Sequence, residues 1–255
     1  MRNDNNAKKN RPKRGIFLLP NILTTTNIFC GFYALLATMQ GDFSQSGIVI
    51  VLAMILDSLD GRIARITNTM SKFGAEFDSL SDLVTFGIAP AILVYSWSLS
   101  AYGKWGWLVA FLFVVCGALR LARFNVQSGI IESRVFNGLP IPAAASVIAT
   151  GIMLYYYLGG VGKYHNLFFL LITVALALLM VSNVKYYSFK DLNFFSRKPF
   201  MSFVLIVLIM TVVAAEPQIT LFIFSVSYSL SGPGWWLIKR FKTATKEKHE
   251  ASLKI

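Results

Sequence analysis

Charge is scarce in this sequence. Only 14% of the 255 residues are charged and 55% are apolar, whereas soluble domains carry about a quarter charged residues. Too few polar side chains remain to cover a globular surface, which excludes a water-soluble enzyme and a disordered chain alike. Acidic residues are scarcer still, twelve against 24 Lys and Arg. Cysteine occurs twice, as Cys30 and Cys116, each inside an apolar run, so neither a disulfide framework nor a cysteine metal site can be argued. The two histidines, His165 and His249, lie far from the other candidate ligands. There is no internal repeat and no stretch long enough for a soluble domain.

What the chain has instead is apolar runs. A membrane helix needs about 20 mostly apolar residues. Eight runs qualify, at about 20–39, 46–63, 80–101, 105–123, 140–159, 166–184, 200–215 and 218–238, the seventh being short. Asn21, Thr24 and Asn27 interrupt the first, which reads as a span and not as a cleaved leader. With the N-terminus in the cytoplasm, 22 of the 24 basic residues fall on cytoplasmic segments, and only Lys104 and Lys163 lie outside. Trp97, Trp105 and Trp107 then gather at the second outside loop, as an interfacial belt would. The basic ends, 1–15 and 239–255, carry most of the net charge of +12. Beside apolar spans their expected partner is an anionic lipid leaflet, not nucleic acid. The expected fold is an all-α polytopic membrane protein of an inner, cytoplasmic membrane, with both termini cytoplasmic.

Five of the twelve acidic residues crowd between positions 57 and 82: Asp57, Asp60, Glu76, Asp78 and Asp82. The spacing i, i+3 places Asp57 and Asp60 on one helix face, and i, i+4 does the same for Asp78 and Asp82, leaving Glu76 off that face. Two antiparallel helices joined by a cytoplasmic loop would turn the pairs toward each other. Carboxylates at that depth are costly unless paired or metal-bound. Three readings follow: an ion-pair network with Arg62 and Arg65 that pins two helices, a cation path through the bilayer, and a divalent-metal site. The position at one end of the spans weakens the cation path. All-oxygen ligands suit Mg²⁺ or Mn²⁺ and not zinc. Gly61, Ala64 and Gly74 would leave room for a bulky group beside the metal, and Arg65 and Lys72 suit a pyrophosphate.

The stretch reads Asp57-Ser-Leu-Asp60-Gly61-Arg-Ile-Ala64-Arg65, eight residues, then Gly74-Ala-Glu-Phe-Asp78-Ser-Leu-Ser-Asp82. It resembles the CDP-alcohol phosphotransferase signature D-x-x-D-G-x-x-A-R-x8-G-x3-D-x3-D at every fixed position. Further segments resemble the phosphatidylserine synthase branch: Pro20-Asn21 with Thr24, Asn27 and Gly31; Arg120-Leu-Ala-Arg123-Phe-Asn125; Gly138-Leu-Pro140-Ile-Pro142; and Lys185-Tyr186-Tyr-Ser-Phe-Lys190. Phosphatidylglycerophosphate and cardiolipin synthases of the family are expected to carry Arg near position 27.

The resemblance implies a six-helix core over 16–198, two added transmembrane helices over 199–238, and a homodimer. It implies two divalent cations, Mg²⁺ or Mn²⁺, on Asp57, Asp60, Asp78 and Asp82, with Asp82 also the general base. Gly61, Ala64, Arg65, Ser71, Lys72 and Gly74 would hold the nucleotide and phosphates. CDP-diacylglycerol would be the donor and L-serine the acceptor, with the serine carboxylate met by Arg120, Arg123, Asn125, Lys185 or Lys190. A groove beside the third span, widened by a kink at Pro90, would take the acyl chains. The alternatives are another alcohol acceptor in the same family, and a membrane cation carrier without chemistry.

Overall fold

The computed structural model describes residues 18–66, 71–128, 135–187 and 199–252. Helix α1 (Leu18–Gln40) turns into α2 (Phe43–Ile66) over two residues. The turn is a glycine cap: Gly41 has φ 87°. The Asp42 N–H donates to the Ala37 carbonyl (2.9 Å) and the Gly41 N–H to the Thr38 carbonyl (3.1 Å), the pattern of a Schellman motif. Below it the two helices pack closely through small polar groups. Thr38 Oγ1 donates to Ser46 Oγ (2.9 Å), and Ser46 Oγ to the Ala34 carbonyl (2.9 Å), all of it buried. Small residues of this kind let membrane helices approach.

The third helical rod begins as α3 (Lys72–Asp82), passes through a π-helical turn at Leu83–Ile88 and ends as α4 (Ala89–Trp97). Ser71 caps it, its Oγ accepting the Gly74 N–H at 2.9 Å. In the π turn the Ala89 N–H reaches back five residues to the Val84 carbonyl. Pro90, next in the chain, has no N–H for the Phe86 carbonyl, so an α-helical register could not continue unbroken there. The sequence suggests a kink at Pro90. The structure accommodates the proline with the extra residue of the π turn, and Lys72–Trp97 runs as one span.

Helix α5 (Lys104–Ser128) follows, then α6 (Ile141–Tyr157), α7 (Leu167–Val181), α8 (Pro199–Ala215) and α9 (Pro217–Ser252). Two three-residue strands, β1 (Val135–Asn137) and β2 (Lys185–Tyr187), pair antiparallel, with Phe136 opposite Tyr186. Each of the eight expected apolar runs thus lies on a helical rod. Among the described residues, 21–40, 72–97 and 104–126 are long and apolar enough to cross a membrane, while α6 and α7 are shorter apolar helices. The α8 and α9 segments meet at 117°, and the Tyr157 hydroxyl donates to Glu216 at the bend between them. Large apolar side chains of α8, among them Phe200, Phe203 and Met210, are exposed, as a lipid-facing helix requires. The architecture is an all-α polytopic membrane fold.

The tryptophan belt is only partly as expected. Trp105 and Trp107 are 71% and 51% exposed, but Trp97 is fully buried. It stacks edge-on against Tyr155 and Phe169, with centroids 5.1 and 4.7 Å away, and so serves the core. Apolarity and position along the chain do not distinguish a lipid-facing indole from a packed one.

Candidate metal and transfer site

Asp57 lies near the end of α2, and Asp78 and Asp82 lie one turn apart on α3. One carboxylate oxygen from each falls within 4.8 Å of the others, and all three residues are half-buried. At an effective dielectric of protein sites, two full negative charges at that separation repel by about 3 kcal/mol. Carboxylates held this close share a proton or a cation, since both cannot stay ionised and unpaired. Asp78 Oδ1 is buried with no hydrogen-bond partner, and leaving such an atom unsatisfied costs about 1–3 kcal/mol or more for a charged group. Convergent carboxylates with an orphaned oxygen fit a divalent cation.

The rest of the motif is partly legible. A methyl added to Gly61 would meet nothing within 4 Å, so the space beside the aspartates is open. Gly74 is held tighter: a Cβ there would stand 3.1 Å from Ser71 Oγ and 3.7 Å from Asn21 Oδ1. Ser71 and Gly74 therefore build the helix cap, and both sit at the positively polarised start of α3, where phosphate is favoured. Lys72 is exposed on the same turn. Asp60, Ala64 and Arg65 belong to the last turns of α2, but their side chains lie outside the described residues, as does Lys190. Glu76 stands apart from the cluster, exposed, as its helical offset predicts.

Helix α1 fixes the far side. Ser81 Oγ donates to the Thr24 carbonyl (3.2 Å) and Thr85 Oγ1 to the Asn27 carbonyl (3.0 Å). A Cβ on Gly31 would lie 2.5 Å from Thr85 Oγ1, so only glycine admits this approach. Asn27 is fully buried, and neither atom of its side-chain amide has a hydrogen-bond partner. Its place in the first span is visible in the sequence; its burial without a partner is not.

The candidate serine-binding residues separate. Arg120 lies within electrostatic range of Asp82, its guanidinium carbon stands 5.8 Å from the Phe124 ring centroid, and its buried Nε has no hydrogen-bond partner. Arg123 is engaged elsewhere, its Nη2 donating to Asn183 Oδ1 at 2.8 Å. Asn125 clasps α3, its Nδ2 donating to Ser79 Oγ (3.0 Å) and Glu76 Oε2 (3.3 Å). Lys185 is exposed on β2, opposite Asn137. Among the described members of this set, Arg120 lies within electrostatic range of an aspartate, Asp82. Tyr228 of α9 also reaches Arg120 electrostatically. Lone tyrosines in apolar runs carry no motif, so nothing in the sequence singles this one out.

Apolar rods with three carboxylates converging from two of them define an integral membrane protein with an acidic cluster. The sequence profile of the CDP-alcohol phosphatidyltransferases matches residues 17–181, and the chain belongs to that family. It is 37% identical over 237 residues to a CDP-diacylglycerol–serine O-phosphatidyltransferase of Helicobacter pylori, covering 91% of this chain and 96% of the relative. A Bacillus subtilis protein of the same name is 34% identical over 172 residues, 68% of this chain and 91% of that one. An archaetidylserine synthase of Methanothermobacter thermautotrophicus is 40% identical over 170 residues, 66% of this chain and 69% of that one.

Proposed function

We propose that the chain transfers the phosphatidyl group of CDP-diacylglycerol to the hydroxyl of L-serine, yielding phosphatidylserine and CMP. The observation that carries the reading is the convergence of three signature aspartates within 4.8 Å in a chain whose similar proteins are named for serine products. Asp57, Asp60 and Asp78 would hold Mg²⁺ or Mn²⁺, with Asp82 at the edge of the set. Bound there, divalent cations supply charge neutralisation for the pyrophosphate and its leaving group. The open space at Gly61, with Arg65, Ser71 and Lys72, receives the nucleotide and phosphates. Asp82 takes the serine hydroxyl proton as the serine oxygen attacks the lipid-side phosphorus. The bond from that phosphorus to the CMP oxygen breaks, and CMP leaves with the electron pair. Arg120, within electrostatic range of Asp82, meets the serine carboxylate by a charge-assisted hydrogen bond.

The same reading divides the chain into a core over 16–198 and added helices over 199–238. It places the site and both termini in the cytoplasm of an inner membrane, on the charge asymmetry of the loops, and includes a homodimer, as the resemblance implies. The test is CMP release from CDP-diacylglycerol by purified protein, with alcohols varied. L-serine is expected to be used far better than glycerol 3-phosphate. Preference for glycerol 3-phosphate overturns the acceptor and leaves the family intact. No CMP release with any alcohol turns the reading toward a cation carrier.

A further inference from the structure

Helix α3 carries Asp78 and Asp82, and little apolar packing holds it. Its buried residue is Ser81, while Phe73 and Leu80 are exposed. Three carboxylates within 4.8 Å of one another repel, so α3 needs contacts that resist its turning away. Polar contacts supply them on both sides. On one side Ser81 Oγ donates to the Thr24 carbonyl of α1 at 3.2 Å. On the other, Asn125 of α5 reaches α3 with its side-chain amide. Its Nδ2 donates to Ser79 Oγ at 3.0 Å and to Glu76 Oε2 at 3.3 Å, one hydrogen to each. Asn125 Oδ1 lies 3.3 Å from the same hydroxyl. At about 100° per residue, Ser81 falls about 60° to one side of Asp78, and Ser79 about 60° to the other side of Asp82. The two contacts bracket the aspartate stripe. The end of α5 is itself tied down. Arg123 Nη2 donates to Asn183 Oδ1 at 2.8 Å. The strand after Asn183, β2, is fixed to α9, the buried Tyr186 donating its hydroxyl to the Ser229 carbonyl at 3.0 Å.

We propose that Asn125 is a positioning residue for the metal ligands of α3 and not a serine ligand: its amide bridges Ser79 and Glu76 and fixes the rotation of α3 that turns Asp78 and Asp82 toward Asp57. The inference rests on the metal-binding part of the serine-transfer reading. An amide suits the role because one nitrogen serves two acceptors a helical turn apart and adds no charge beside the cluster. Groups that orient metal ligands without touching the metal set its affinity.

The test is direct Mn²⁺ binding, read by electron paramagnetic resonance, to the full-length protein in detergent–lipid micelles with CDP-diacylglycerol and no acceptor. Asn125→Leu keeps the bulk of the side chain and removes both hydrogen bonds. Its Mn²⁺ Kd is expected to rise about tenfold, as when an outer partner of a metal ligand is lost. The KM for L-serine at saturating Mn²⁺ should stay within about twofold, since no acceptor contact is removed. Asn125→Asp sets a carboxylate against Glu76 and should weaken Mn²⁺ binding although it adds a negative charge. Adding Glu76→Gln exchanges amide and carboxylate across the same contact at the wild-type net charge, and should return the Kd to within about threefold of wild type. If Asn125→Leu fails to fold, the Asn125→Asp and double variants decide alone. Unchanged Mn²⁺ affinity in Asn125→Leu, no rescue of Asn125→Asp by Glu76→Gln, or a serine KM that rises at saturating Mn²⁺ each overturns the inference while the wild type still binds the ion. A wild type that binds no Mn²⁺ overturns the metal reading itself, and the inference with it.

Discussion

Asp78 and Glu76 are two residues apart and carry the same charge, but only Asp78 joins the cluster. Side chains two positions apart on a helix point to different faces, and Glu76 spends its carboxylate on Asn125. Asp78→Asn is therefore expected to lower turnover by about a hundredfold or more, the scale of losing one electrostatic stabiliser of a transition state. Glu76→Gln should stay within about twofold, as an exposed substitution does. Turnover and Mn²⁺ binding of the two variants check this. Equal losses would mean that total negative charge matters and placement does not. The residues of the signature were all visible in the sequence because the spacing of a helix is fixed. The partners of Arg123 and Asn125 were not, because Asn183 and Ser79 lie far from them along the chain.

The elements were legible where the chemistry is periodic and local. Apolar runs marked the rods, and Ser71 before α3 is a cap of ordinary type. The π turn was not legible: Pro90 announces a disturbance, but not that an extra residue absorbs it in place of a kink. The same holds for the β2–α9 contact. Burial first, and the neighbouring Tyr228 second, push the Tyr186 phenol up to about 12 from a usual 10.0. The folded state thus holds the proton more tightly than the unfolded chain, and the contribution is fully present below the unfolded value. It is lost as pH rises through the folded value. The melting temperature of the wild type should exceed that of Tyr186→Phe at neutral pH, and the gap should close between about pH 10 and 12. A gap that does not narrow over that range would show that the hydroxyl proton contributes nothing to docking α9.

For the whole molecule the asymmetry of basic residues makes a directional statement. Reporters fused beyond Ile255 and before Met1 should both read as cytoplasmic, and one inserted beside Lys163 should read as outside. Protease protection in sealed vesicles gives the same readout. Termini on opposite sides would mean that α8 and α9, which meet at 117°, do not both cross, and the cytoplasmic placement of the basic tail would fail.

Composition, run length and loop charge determined the class, the rods and the orientation expected of them, because the bilayer imposes those requirements on any chain locally. The fixed spacing of the signature determined which carboxylates share a face, because helical geometry is the same everywhere. Only the tertiary structure decided that Trp97 is core and not belt, that Arg123 and Asn125 are held by Asn183 and Ser79, and that the last helix docks on the Tyr186 hydroxyl. Each of these depends on contacts between residues distant in the chain, and such contacts leave no local period in the sequence to read.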